Sequence, residues 1–502
     1  MQKTPIAVRL LYFLIVIYGT LFFGIKFHLF DPSVRYFKEN EQQTVNAPNS
    51  STRTDPETVK IKPTEVKLED IKFPKNFFFG TAYSDFQTTG ISKTSDWYEY
   101  VNNMKPPQIN PGVGNDFFNR YKEDFDLAGH LGIQVHRISL EWSRFEPEEG
   151  KWDMEMVKKY KTIFVYMKKR GIEPMICLNH FPLPKWFTDK GSWENPQAPK
   201  LYGRYAGFIA KNIGIPLKIK WWLTFNEPQF VVLIPYGKGG WPPFKTVEGF
   251  KDAKGMDRFF LVGSRILDSH RMAYRAIHHT LDTPKQKPMV GFASATGAFY
   301  PADPNSPTDR MASNAYNVFY GTLMDYAIGS IDRDFVGINY YGRNKLRLHI
   351  SFWNQVKSWL NPDRPFDIEW VNEQSNKPNT SYRLFYPLAL YDQIMKSRAL
   401  GKPIIITENG IDDDTDKFRE EFIVVHLKAI HDAIRDGANV IGYQYWALAD
   451  TWEPGGANFS QMGLIKIDRD NNLERSLRRS AWTYAEIIRT KTIAKELLEK
   501  YK

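Results

Sequence analysis

Beyond Phe73 the chain repeats one pattern eight times: a short run rich in β-branched and aromatic residues, then a longer stretch with helical periodicity. The runs are Asn76–Ala82, Val135–Leu140, Pro174–His180, Trp221–Asn226, Met289–Ala293, Phe335–Tyr340, Ile404–Thr407 and Ile441–Trp446. Amphipathic stretches such as Asp257–His279 and Glu420–Arg435 follow most of them. Strands that alternate with helices pair in parallel, because the helix supplies the crossover between them. Eight such units predict an α/β chain built as a single (β/α)8 TIM barrel with inserted loops rather than two domains. With one cysteine, Cys177, the chain has no internal disulfide framework and no multi-cysteine metal site, so the fold must stand on its core. The net charge of +10 is modest for 502 residues and does not call for a nucleic-acid partner.

The N-terminus reads differently. Leu10–Ile25, LLYFLIVIYGTLFFGI, carries no charge and approaches the ~17–25 residues of a spanning helix. It continues into bulky residues rather than the small-residue cleavage site of a signal peptide. Residues 1–30 are therefore expected to form an N-terminal transmembrane helix, a single-pass membrane anchor. Lys3 and Arg9 precede the span and Lys26, Arg35 and Lys38 follow it, so charge bias leaves the side of the membrane open. Residues 31–72 are polar, carry Pro32, Pro48, Pro56 and Pro63, and read as a tether to a barrel domain over 73–502.

In such a barrel the active site lies at the C-terminal ends of the strands. The fourth run ends in Asn226-Glu227-Pro228 and the seventh in Glu408-Asn409-Gly410. Strands four and seven face one another across a barrel mouth, so the two carboxylates can flank one bond. That is the arrangement glycoside hydrolysis needs.

The motifs TFNEP and ITENG, with FFFGTAYSDFQ, HRISLEWSR, NHFPLP, DFVGINYYG and GYQYWALADTWE in order around them, resemble those of the family 1 glycoside hydrolases. These are retaining β-glycosidases built on a (β/α)8 barrel, and the resemblance runs from about Phe77 to Ile487. It implies that Glu227 is the general acid/base and Glu408 the nucleophile, with Arg137 and Tyr341 supporting the nucleophile. It also implies that Gln87, His180, Asn226, Trp446 and Glu453 bind the non-reducing sugar, Asn226 at its 2-hydroxyl. No cofactor is expected, and His180 has no second spaced histidine that would suggest a metal. A carboxylate at Glu453 would repel a 6-phosphate.

The sequence departs from the family at several points: Pro454 stands where a Trp is usual, Asn458 for a loop aromatic, Gln461 for an Arg, and Phe181 for a Trp. Gln87 is followed by Thr88-Thr89-Gly90 without the usual acid. Within the family, the N-terminal anchor, Asn339–Gly342, Thr407–Asp416 and Ile467–Arg469 look closest to the plant galactolipid galactosyltransferase branch and its archaeal-type relatives. The expected partner is a β-glycoside or a glycolipid, with the membrane held through the N-terminal helix and the oligomeric state left open. Hydrolysis by double displacement ranks first, galactosyl transfer between lipids second, and a non-catalytic sugar-binding barrel third.

Overall fold

The computed structural model describes residues 69–245, 253–296, 298–317, 332–348, 368–371 and 386–501. The expected anchor and nearly all of the tether lie outside the described residues. Among those described, no helix is long and apolar enough to cross a membrane.

All eight runs form strands: β1 (Phe78–Tyr83), β2 (Val135–Ser139), β3 (Glu173–Cys177), β4 (Trp221–Asn226), β5 (Met289–Ala295), β6 (Val336–Asn339), β7 (Ile404–Asn409) and β8 (Val440–Tyr445). They pair in parallel in sequence order and close into a barrel, with β8 Gly442 opposite β1 Phe78. Helices α1 (Phe117–His130), α2 (Met154–Lys169), α3 (Ala198–Ile209) and α4 (Ala253–Leu281) follow the first four strands. Of the later helices, α5 (Pro307–Asn317) packs on a small accessory sheet, while α6 (Pro387–Arg398), α7 (Arg419–Arg435) and α8 (Arg479–Thr490) follow β6, β7 and β8.

Strand alternation divides the apolar residues between two cores. Val135, Met175, Cys177, Trp221, Leu223, Ala293, Phe335 and Ile405 fill the barrel, and a larger layer packs between barrel and helices. The tether boundary needs a correction. Ile71–Lys72 pairs antiparallel with Thr492–Ile493, and the Asp70 carboxylate accepts the Lys495 N–H at 2.9 Å. Residues 69–72 thus belong to the barrel domain, through backbone pairing that a two-residue strand leaves no periodicity to reveal.

After β8 the chain makes a long excursion, tied down by a buried ion pair. Arg478 donates to both oxygens of Asp450 at 2.7 and 2.9 Å, and Asp450 also accepts the N–H groups of Gly463 and Ile467. This clamp fixes the segment that carries Glu453. Arg478→Met should lower unfolding free energy by roughly 3–5 kcal/mol in chemical denaturation, because Asp450 is left buried without its cation. A loss under about 1 kcal/mol would show that the pair is not holding the segment.

Candidate active site

Two breaks in strand register aim the site. On β4, Thr224 bonds His270 of α4 and Phe225 stacks on Tyr202 of α3, so both face outward, and the register with β5 shifts between Leu223 and Asn226. On β7, Thr407 and Glu408 both make inward contacts, and the register shifts beyond Ile406 toward both neighbours. Strict alternation would send one member of each pair to the wrong side, and a bulge re-aims it. Glu227 follows β4 with φ at +47°, a left-handed conformation that non-glycine residues adopt at some cost. It makes no side-chain cap to the helix Pro228–Val232 and is 9% exposed. Gly410, two residues past Glu408, admits no side chain, since a Cβ there would stand 1.8 Å from the Trp446 carbonyl oxygen.

The two carboxylates are joined by an unbroken chain of hydrogen bonds. Fully buried Arg137 donates through Nη2 to Glu408 Oε1 and through Nη1 to Asn226 Oδ1 at 3.0 Å. Asn339, ending β6, donates from Nδ2 to Asn226 Oδ1 and to Glu227 Oε1, both at 3.0 Å. The orientation of its amide is set by Thr407, whose hydroxyl donates to Asn339 Oδ1 at 2.7 Å. Tyr341 donates its phenol to Glu408 Oε2 at 2.6 Å. Burial and the neighbouring Glu408 charge push the Tyr341 phenol well above its ordinary range, so it remains a donor.

The remaining expected residues line the same mouth. Asn226 Oδ1 is taken by two obligate donors, so its Nδ2 faces His180 Nε2, at 3.2 Å. That contact makes Nε2 an acceptor and places the imidazole proton on Nδ1, which is buried without a partner. Burial, and then the Arg137 charge, push His180 well below its ordinary pKa and keep the ring neutral. Gln87 donates to the Trp452 carbonyl at 2.6 Å and leaves Oε1 buried and unpartnered. Trp446 stacks against His180 at 5.7 Å, lies under the Arg137 guanidinium at 5.5 Å, and donates to Glu453 Oε1 at 3.1 Å. The Thr451 hydroxyl donates to the same Glu453 oxygen at 3.0 Å. All nine residues named from sequence thus belong to one strand-end cluster. Among the described residues no cluster of His, Cys, Asp or Glu suits a metal ion.

The sequence matches Glycosyl hydrolase family 1 over residues 69–329 and 322–493. The chain belongs to this family. A β-glycosidase from Pyrococcus horikoshii superimposes with a TM-score of 0.74 at 32% identity, over 86% of this chain and 98% of that one. Pyrococcus woesei β-galactosidase is 26% identical over 85% of this chain and 99% of its own length. Arabidopsis thaliana chloroplastic galactolipid galactosyltransferase SFR2 is 26% identical over 82% of this chain and 65% of its own. As a family 1 member with these relatives, the protein is a glycoside hydrolase.

Sequence reasoning gave Asn339 no site role, although it touches both Asn226 and Glu227; its signal was a polar residue ending a buried apolar strand. The missing acid after Gln87 is compensated elsewhere. Arg144 pairs with Glu141 at 3.0 Å and Asp85 at 3.6 Å and donates to Thr89, so relocated carboxylates hold the short helix Asp85–Thr89 that carries Gln87. Gln461 lies outside the sugar-facing cluster, its side-chain oxygen accepting from Arg478 at 3.0 Å. Phe181 packs against Trp241 at 4.8 Å, which returns an indole to that wall.

Arg137→Met should lower kcat by at least a hundredfold in steady-state assays, since Glu408 loses its buried ion-pair partner and Asn226 Oδ1 one of its two donors. A kcat within tenfold of wild type would show that Arg137 acts only in packing.

Proposed function

We propose that this barrel hydrolyses β-glycosides with retention of configuration, through a covalent glycosyl-enzyme. The observation that carries the reading is the hydrogen-bond chain running from Glu408 through Arg137, Asn226 and Asn339 to Glu227. One end of that chain is bonded by a cation and a phenol, which suits an anionic nucleophile. The other end receives only a neutral amide from the chain, which suits a group that cycles its proton.

In the first step a Glu408 oxygen attacks the anomeric carbon, the glycosidic bond breaks, and Glu227 gives its proton to the leaving oxygen. Glu227 Oε1 accepts from Asn339, so that proton sits on Oε2. Forming the ester removes the Glu408 charge, and Glu227, now anionic, takes a proton from the incoming water as it attacks. Water adds at the anomeric carbon, and the Glu408 carboxylate is released.

The unpartnered Gln87 Oε1 and His180 Nδ1 support a sugar-binding role, because buried polar atoms without partners are costly unless a ligand satisfies them. One accepts and the other donates, a combination that suits hydroxyls. The free hydrogen of Asn226 Nδ2 suits the 2-hydroxyl. Glu453, bonded by Trp446 and Thr451, disfavours a 6-phosphate.

Transfer of galactose between lipids is the second reading, supported by the likeness to the galactolipid galactosyltransferase and by the apolar Leu10–Ile25. We place that segment in a bilayer as a single-pass anchor, with residues 31–68 as the tether. Transfer uses the same steps, with a held alcohol replacing water through high effective molarity.

Glu408→Gly should lose several orders of magnitude in turnover, and azide should restore part of it while giving the α-glycosyl azide. Glu227→Ala should keep fast glycosylation on substrates with good leaving groups, stall in deglycosylation, and give the β-azide. Opposite anomers separate the two roles, and an α-configured first product from the wild-type enzyme, read by proton NMR, would refute retention. Failure to cleave any nitrophenyl β-glycoside would leave the non-catalytic barrel.

A further inference from the structure

One face of the barrel's exterior combines apolar groups with lysines, most of them without a counter-anion among the described residues. Helical spacing puts Met154, Lys158, Lys161, Val165 and Lys169 of α2 on one stripe. Met154, Val157, Lys158, Lys161, Thr162 and Val165 line an open groove of about 380 Å³ with Leu217, from the short helix Ile215–Leu217 that packs beside α2. Met154 is 52% exposed, Val165 40% and neighbouring Ile215 47%. Lys161, Lys169 and Lys218 have no carboxylate within ion-pair distance among the described residues, and Lys158 reaches only exposed Glu155, at 3.5 Å. The face thus sets exposed apolar side chains among lysines, a combination suited to an interface that is apolar beneath a charged layer.

Charge decides among the occupants. Residues 1–30 carry Lys3, Arg9 and Lys26 and no acid, so the chain's own apolar segment is cationic and repelled by the lysines. A second copy in a two-fold contact would set the same lysines against one another. A surface that is anionic outside and apolar beneath fits both halves of the face, and the tether makes one available. Residues 31–68 have a root-mean-square reach of about 31–37 Å, comparable to the barrel itself, so an anchored barrel meets the bilayer at high effective concentration.

We propose that the α2 face, with Met154, Val165 and Ile215 as insertion points and Lys158, Lys161, Lys169 and Lys218 as headgroup contacts, docks the barrel sideways onto an anionic lipid surface. The proposal rests on the anchored reading of Leu10–Ile25. Such docking would lay the barrel axis along the membrane and hold the mouth at its edge, where a glycolipid headgroup can enter without leaving the bilayer. Each lysine near an anionic surface adds to the attraction, and salt weakens it.

The test uses the full chain reconstituted in vesicles, with an environment-sensitive dye on Val165→Cys and, as a control, on Lys396→Cys of α6 across the barrel. The native thiol of Cys177 is fully buried, and burial pushes it up to about 12, so it does not compete for the label. The Val165 probe should shift to the blue on vesicles one-third phosphatidylserine, not on neutral phosphatidylcholine, and the shift should fall by more than half in about 0.5 M salt. Lys158→Glu/Lys161→Glu/Lys169→Glu should abolish the shift and leave nitrophenyl β-glycoside hydrolysis within twofold of wild type.

An equal shift at Lys396, a shift on neutral vesicles that marks the chain's own segment as occupant, or a concentration-dependent shift without lipid that marks a second copy would each overturn the proposal. Flotation reports the anchor separately. A chain that floats with anionic vesicles without a shift at Val165 is anchored but not docked, which overturns docking alone. A chain that does not float with neutral vesicles overturns the anchor, while a shift on anionic ones still supports the docking face.

Discussion

Arg137 is fully buried, and a guanidinium that keeps its proton at every accessible pH can be held there only by acceptors and anions. Glu408 and Asn226 supply both, and Trp446 covers the remaining face. Burial pushes the Arg137 pKa down, but the Glu408 charge and hydrogen bond together with Cys177 and Tyr341 hold the guanidinium above its ordinary value. The pair therefore keeps the buried guanidinium charged. It also fixes Asn226, which fixes the tautomer of His180, while Asn339 carries the same order to Glu227. Removing any link leaves a buried polar group unpaired, and this explains why five side chains from four strands must be correct together.

How much of this was legible follows from where the information lives. Every barrel strand was readable because a strand covered on both faces must be a nearly continuous apolar run bounded by polar residues. Trp221–Asn226 matched at both ends, while other strand ends drifted by up to three residues, for instance where Leu178 and Trp446 carry apolar character past the last paired residue. Glu227 and Glu408 were readable because each interrupts such a run where a barrel keeps its chemistry. The register shifts on β4 and β7 were not, because a bulge changes which way residues point without changing which residues they are. Asn339 escaped notice because its role depends on reaching two residues more than a hundred positions away. The pairing of Ile71–Lys72 with Thr492–Ile493 escaped notice because it rests on backbone hydrogen bonds alone.

The departures from the family's usual residues sort by the same logic. Where a contact is held by several groups, its residues can trade places. The acid expected after Gln87 is absent, and Arg144 instead meets Asp85, at the start of the helix that carries Gln87, and Glu141. Gln461 gives up a charge and becomes an acceptor for Arg478, which is already neutralised by Asp450. No comparable exchange is tolerable at Arg137 or Glu408, where one buried cation meets one buried anion.

Burial also silences the other titratable groups around the mouth. Desolvation lowers His180 well below its ordinary value and His136 to about 3, so both rings are neutral where the enzyme works. Desolvation raises the Tyr341 phenol and pushes the Cys177 thiol up to about 12, so neither ionises. A histidine that charged near pH 6 would put a second cation beside buried Arg137, at a cost in repulsion. With imidazoles, phenol and thiol fixed in their neutral forms, the proposed double displacement would change charge at the reacting centre through the Glu408 ester and the Glu227 proton. In that proposal each change depends on the other, and the hydrogen-bond chain between the two groups is what would couple them.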